Sequence, residues 1–96
     1  MVHLDSLSER LKPMNITVVG LLDSPLWLDL TPLDQSVDSF GKRMSLAYQN
    51  FGVAPFVPED CKLRFKSQEW RCIMGQYRLH FIKSPFVVYA DQNDGY

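Results

Sequence analysis

Two short apolar segments, far apart in the chain, most constrain what this sequence can fold into. Residues Asn15–Leu22 and Phe86–Ala90 are almost continuously apolar and rich in β-branched side chains, which is typical of strands buried on both faces of a parallel sheet. About sixty residues separate them, far more than the roughly dozen that a crossover requires. We therefore predict a partial α/β fold with two parallel-type strands and a helical insertion. Because two strands alone make no stable parallel sheet, the sheet is expected to be incomplete.

Helix patterns occupy most of the chain outside these strands. The predicted helices are Leu4–Leu11 before Pro13, Asp34–Phe51 before Gly52, a short helix that opens at Glu59-Asp60 and carries Cys61, Leu63 and Phe65, and Ser67–Met74 before Gly75. Ser6 or Asp5 is expected to cap the first helix, and Ser67 the last. The pattern of Gln76–Lys83 does not decide its structure. No repeat, linker or low-complexity segment interrupts the sequence, so residues 1–96 are interpreted as one partial domain.

Charge and composition argue against several classes of function. The 96 residues carry 10 basic and 11 acidic side chains, a net charge of −1, and this balance does not favour binding to nucleic acid or to an anionic membrane. Charged side chains occur throughout the first thirteen residues, so no signal peptide is expected, and no apolar stretch is long enough for a membrane span. Read literally, these features indicate a cytosolic protein.

No complete active site is visible in the residues themselves. The chain has no Gly-x-Ser-x-Gly nucleophile elbow, and Ser24 precedes Pro25, which has no backbone N–H to stabilise an oxyanion. Neither His3 nor His80 adjoins a serine or a cysteine, and the apolar neighbours of His80 favour a structural role. Asp94, just beyond the second strand, is a candidate acid without a partner.

The two cysteines, Cys61 and Cys72, are too few for a zinc site or a disulfide framework. No Cys-x-x-Cys motif is present, and neither cysteine pairs with a histidine at metal-binding spacing. Free thiols and a disulfide both remain open on these grounds, and no cofactor is predicted.

Four segments, in order, resemble the pectin acetylesterase and Notum family. Gly20–Asp29 is similar to the family's Gly-Leu-Ala-Asp-Ser-Gly-Trp-Phe-Leu-Asp, and Trp70–Tyr77 to its Trp-x-Cys-Phe-Phe-Gly-Tyr. Between them, Ala54–Cys61 resembles the family's Val-Val-Pro-Glu-Arg-Cys, and Pro85–Val88 resembles the strand that leads to its catalytic acid. The similarity covers essentially the whole chain with small gaps, and the animal Notum branch is more similar than the plant branch.

The resemblance implies a secreted carboxylesterase with an α/β-hydrolase-like fold and a Ser/His/Asp triad that needs no metal. Pectin acetylesterases remove acetyl groups from pectin, and Notum removes a palmitoleoyl group from a serine of Wnt proteins. The partner implied for an intact parent is therefore an acetylated polysaccharide or an acylated protein. In the family's order, this chain is expected to begin after the nucleophilic Ser and to end before the His, so we expect it to be inactive alone.

The resemblance also assigns roles to individual residues. Asp94 matches the catalytic acid if one inserted residue is allowed, and Asp91 is the runner-up. Trp27, Ile73 and Met74 match residues that line the acyl pocket of Notum. Cys61 and Cys72 match two family cysteines that bracket a short loop, which favours a disulfide.

Two departures bear on the substrate. Pro25-Leu26 stands where the family has Gly-Trp, so the loop after the first strand is expected to follow a different path. Ile73-Met74 replaces the family's Phe-Phe pair, which is expected to reshape the acyl pocket.

A second hypothesis is a small non-catalytic binding module whose helical segment holds an apolar ligand or partner. It rests on the aromatic and methionine side chains between the strands, which include Phe40, Met44, Tyr48, Phe51, Phe56, Phe65, Trp70 and Met74.

Overall fold

A computed structural model of the protein describes residues 3–91. They form two compact units. The first contains residues 3–26 and 82–91, and with them both strands; the second is Trp27–Phe81.

The first unit is built around two parallel strands, β1 (Gly20–Asp23) and β2 (Phe86–Tyr89). Gly20 pairs with Phe86 and Asp23 with Tyr89, so the expected parallel sheet is present. The prediction that β1 begins at Asn15 is wrong. Asn15 adopts a left-handed conformation (φ 59°) after a 3₁₀ turn at Lys12–Met14. Strand β2 has four residues, and these pair with Gly20–Asp23, so the residues before Gly20 have no residue of β2 to pair with.

The strands are not buried on both faces as predicted. Leu22 is buried, but Leu21 is 77 % exposed, Val87 59 % and Tyr89 67 %. The physical reason is that the sheet has only two strands within residues 3–91, so most strand side chains lack neighbours to cover them. The described part of the chain is therefore a partial, open α/β arrangement.

The helix α1 (Leu4–Leu11) is confirmed, but its expected cap is not. No side chain caps its N-terminus. Instead the Asp5 carboxylate accepts hydrogen bonds from the backbone N–H of Lys83 (3.1 Å) and of Ser84 (2.8 Å). Burial opposes ionisation of Asp5, but hydrogen bonds from the Ser84 side chain and from the two amides, together with the charge of Lys83, outweigh it and lower the pKa of Asp5. The carboxylate thus joins α1 to the segment that leads into β2.

The second unit contains the helices α2 (Phe40–Asn50), α3 (Glu59–Arg64) and α4 (Gly75–Arg78). Further 3₁₀ turns lie at Ala54–Phe56, Glu69–Ile73 and Leu79–Phe81. The short helix that opens at Glu59 is thereby confirmed.

Two of the predicted helix boundaries are wrong. The second helix begins at Phe40 rather than Asp34, because the Asp34 side chain accepts from the N–H of Ser36 and closes a turn, while Ser39 caps the helix. The segment before Gly75 forms a 3₁₀ turn that Ser67 does not cap, and Gly75 opens α4 instead of ending a helix.

A small cluster forms the core of this unit. Val57 and the disulfide-bonded Cys61 and Cys72 are buried at its centre. The side chains packed against them are Tyr48, Val53, Phe65, Ile73 and Phe81. The cystine joins α3 to the 3₁₀ turn Glu69–Ile73, and in so small a unit it takes the place of a larger apolar core.

Candidate functional site

Trp27 lies at the surface of the second unit, where it is 48 % exposed. Its ring meets the Phe40 ring edge to face, with centroids 5.4 Å apart and an interplanar angle of 79°. The backbone N–H of Gln76 donates to the carbonyl oxygen of Trp27 (3.4 Å). The hydrogen bond holds the backbone of Trp27 against α4 and the ring contact orients its indole, while about half of the residue remains exposed.

Two further hydrogen bonds hold the same segment against α4. The N–H of Asp29 donates to Oε1 of Gln76 (2.7 Å), and the Tyr77 hydroxyl donates to Oδ2 of Asp29 (3.0 Å). Burial, together with the hydrogen bond to Asp29 and its charge, raises the pKa of Tyr77. The shift reflects that burial and Asp29 both favour the protonated hydroxyl, which is the form that donates to Oδ2 of Asp29.

Ile73 and Met74 immediately precede α4. Ile73 packs against the disulfide cluster, whereas Met74 is completely buried, with an exposed fraction of 0 %. The Met74 carbonyl accepts from the N–H of Tyr77 and of Arg78 and thereby starts the helix. Of the three residues predicted to line an acyl pocket, Trp27 is thus at the surface while Met74 lies within the packed interior.

A groove of about 490 Å³ opens on the second unit. Its lining residues are Arg64, Phe65, Gln76, Tyr77, His80 and Phe81. Sequence reasoning missed this site because its residues come from three separate stretches of the chain. Gln76 and Tyr77 belong to the Trp70–Tyr77 motif and Phe65 to the aromatic set of the second hypothesis, but no pattern in the sequence indicated that they share a groove. His80, which we interpreted as structural, is exposed and contributes to the groove.

Arginine side chains meet aromatic rings beside this groove. The Arg64 guanidinium carbon lies 5.9 Å from the centre of the Phe65 ring, and that of Arg71 lies 5.8 Å from the same ring. Arg71 is also 5.0 Å from the centre of the Tyr77 ring. Both distances to Phe65 fall within cation–π range.

A different arginine is structural. Arg78 is buried, and its Nη1 donates to the carbonyl oxygen of Cys72 (3.2 Å) and to that of Phe56 (3.5 Å). The guanidinium therefore satisfies backbone acceptors around the cystine.

The carboxyl edge of the sheet carries polar residues in the first unit. Ser24 follows β1 with a left-handed backbone (φ 46°), and its Oγ donates to Oδ1 of Asp23 (3.1 Å). Its N–H donates to the carbonyl of Tyr89 (2.7 Å), which extends the ladder past β1. Asp91 is exposed just after β2, and Asp94 lies outside the described residues.

Two further properties concern only the described residues. Among residues 3–91, no group of three or more histidine, cysteine, aspartate or glutamate side chains is placed to hold a metal ion. No helix in that range is long and apolar enough to cross a bilayer.

Comparison of the sequence with known families and curated proteins finds no relative. The sequence matches no protein-family model, and no curated protein matches it.

Proposed function

We propose that the chain is a segment of a serine carboxylesterase of the pectin acetylesterase and Notum type, whose intact parent hydrolyses an acyl ester through a Ser acyl-enzyme. The observation that carries this proposal is the parallel pairing of β1 with β2, although the whole helical unit lies between them in sequence. The carboxyl ends of both strands therefore share one edge of the sheet, where α/β folds place their binding and catalytic loops. Asp91 follows β2 at this edge, and Asp94, the proposed acid, comes shortly after it in sequence.

The exposed faces of the strands support membership of a larger sheet. Parallel strands normally carry helices on both faces, yet Leu21, Val87 and Tyr89 are largely exposed here. Covering these side chains contributes about 25 cal/mol for each Å² of apolar surface removed from water. Further strands and helices of an α/β-hydrolase-like parent would supply that cover.

The Cys61–Cys72 bond supports a secreted parent. The pairing that the resemblance implies is present, and disulfides persist in extracellular and other oxidising compartments. A secreted esterase that acts on an acylated protein or an acetylated polysaccharide accords with this bond.

Within the proposal, Trp27, Ile73 and Met74 form an apolar wall for the acyl group. The exposed indole of Trp27 would offer the first contact, and Met74, whose unbranched side chain adapts readily to its surroundings, would repack to admit a longer chain. Each methylene buried there contributes about 0.8 kcal/mol, so a long acyl chain would bind more tightly than acetate.

The test is to express this chain together with its flanking coding sequence and to measure hydrolysis of p-nitrophenyl acetate and p-nitrophenyl palmitoleate. We expect ester hydrolysis by the longer product and none by the 96-residue chain. Asp94→Asn should reduce kcat about 10⁴-fold, as loss of the orienting carboxylate does in other triads. The matched control Asp91→Asn should change kcat less than about two-fold if Asp94 is the acid.

Each outcome bears on a separate part of the proposal. Flanking sequence without a Gly-x-Ser-x-Gly motif upstream would refute the serine esterase. Loss of activity in Asp91→Asn but not in Asp94→Asn would transfer the acid role to Asp91. Ester hydrolysis by the 96-residue chain alone would contradict its expected inactivity.

One observation favours the second hypothesis, a binding module. The unit Trp27–Phe81 encloses its own buried cluster, which is closed by the cystine. A cooperative thermal transition of the isolated 96-residue chain would support an independently folding module. A chain that aggregates through its open strands would count against it.

A further inference from the structure

Three aromatic rings form an apolar floor in the groove of the second unit. The Phe65 ring meets the Tyr77 ring edge to face at 5.2 Å and the Phe81 ring at 6.2 Å. All three residues line the groove. Such a floor packs well against a flat apolar group, because offset and edge contacts between rings are favourable.

Positive charge gathers at this floor. The disulfide joins α3, which ends at Arg64, to the 3₁₀ turn that contains Arg71, and both guanidinium groups lie beside Phe65. None of the six described residues that line the groove is acidic, and the Asp29 carboxylate that contacts one of them is bound by the Tyr77 hydroxyl. Gathering like charges costs free energy that a bound anion offsets.

The rim adds directional donors. Gln76 accepts a hydrogen bond at Oε1 from the N–H of Asp29, which orients its amide nitrogen and the two N–H donors that this nitrogen carries. His80 is exposed at the same groove. The Arg64 guanidinium presents a planar fork whose geometry matches a carboxylate.

We propose that this groove binds a small aromatic carboxylate. The ring of the ligand packs on Phe65 and Phe81, and its carboxylate pairs with Arg64, supported by Gln76 and His80. A small inorganic anion would not cover the rings of Phe65 and Phe81, and a neutral aromatic ligand would not pair with the Arg64 guanidinium. A volume of about 490 Å³ lies within the range of small-molecule sites. None of the three residues proposed to contact an acyl group lines this groove, so the proposal does not rest on the esterase assignment.

The experiment titrates the oxidised 96-residue chain with 2-naphthoate and, separately, with its neutral analogue 2-naphthamide. Binding is followed by ligand fluorescence anisotropy and by NMR shifts of the aromatic protons. We expect 2-naphthoate to bind about ten-fold more tightly than the amide, and Arg64→Gln to weaken its binding about ten-fold. Lys66→Gln, which removes the same charge from an exposed residue that does not line the groove, should leave Kd within about two-fold.

Several results would overturn the proposal. They are equal affinity for the acid and the amide, equal effects of Arg64→Gln and Lys66→Gln, or no binding of 2-naphthoate at millimolar concentration. Shifts at Trp27 in place of Phe65 and Phe81 would also overturn it, because they would place the ligand on the exposed indole. Phe81→Ala provides a second test, since removal of part of the floor should weaken the acid and the amide alike while preserving the preference for the acid.

Discussion

Reduction of the Cys61–Cys72 disulfide tests most directly how the second unit is held together. The two cysteines are 11 residues apart in sequence. Closing a loop of that length restricts the unfolded chain, and the chain-entropy relation gives about 2.8 kcal/mol at room temperature. Reduction retains both sulfur atoms, so it creates no cavity, and the loop term should account for most of the change in the free energy of unfolding.

The assay is urea unfolding of oxidised and reduced protein, followed by tryptophan fluorescence. Both tryptophans, Trp27 and Trp70, belong to the second unit, so the signal reports on the part of the chain that the cystine constrains. With a urea dependence of about 1–1.5 kcal/mol per molar, as small chains show, the midpoint should fall by about 2–3 M on reduction.

The double variant Cys61→Ala/Cys72→Ala is the matched control, because the reductant should not change its midpoint. It should also be less stable than the reduced protein, since it loses two fully buried sulfur atoms. Because both cysteines are fully buried, reduction should be slow in buffer and rapid in urea. A midpoint shift that corresponds to less than about 0.5 kcal/mol, or an equal shift in the double variant, would refute the loop-entropy reasoning.

Three further predictions test the contacts that surround these features. Asp5→Asn should accelerate hydrogen exchange at the Ser84 amide, with a cost of about 1–2 kcal/mol. Because the pKa of Asp5 is lowered from 3.8, the stabilisation that its ionised carboxylate contributes is present above pH 3.8 and is lost as pH falls through the pKa of the folded state. The Asn variant should lack this pH dependence. Gly41→Ala should destabilise the second unit by about 1–3 kcal/mol in urea unfolding, because the new methyl group would collide with the Asp29 carboxylate; a stabilised variant would show that helix propensity dominates. Burial and the hydrogen bond that the Tyr48 hydroxyl donates to Glu69 raise the pKa of Tyr48 from 10.0 to about 12. The stabilisation that the protonated hydroxyl contributes is therefore present below pH 10 and is lost as pH rises through about 12. Tyr48→Phe should remove both this alkaline dependence and the tyrosinate absorbance step near pH 12.

The elements that sequence reasoning predicted well are those with local determinants. Helix α1 ends just before Pro13, and the left-handed Gly52 follows α2 as expected. Proline and glycine act through the dihedral angles of their own backbone, so their effects can be read without knowledge of the fold.

The errors occur where a distant partner decides the outcome. Apolar character extended the first strand back to Asn15, but pairing with the short β2 confines it to Gly20–Asp23. The Asp5 carboxylate, expected as a helix cap, instead accepts hydrogen bonds from residues about eighty positions later. Local propensity carries no information about such partners, and a hydrogen bond forms wherever the fold brings a donor to the acceptor.

The residues of the candidate site show the same difference between what the sequence indicated and what only the packing decided. The resemblance indicated Trp27 and the Ile73-Met74 pair, but only the packing decides that Trp27 is half exposed while Met74 is completely buried. The sequence did not indicate the aromatic groove as a site, because residues 64–65, 76–77 and 80–81 become neighbours only after folding.

Apolar runs, helix periodicity and breakers in the sequence determined by themselves that this chain forms several short helices and a small parallel sheet. These are properties of neighbouring residues and of the backbone each residue prefers. Only the tertiary structure decided the strand register, the bonding of Asp5 and the gathering of Arg64 and Arg71 around one aromatic ring. Burial and electrostatic contact depend on what the rest of the chain places nearby, which no short stretch of sequence specifies.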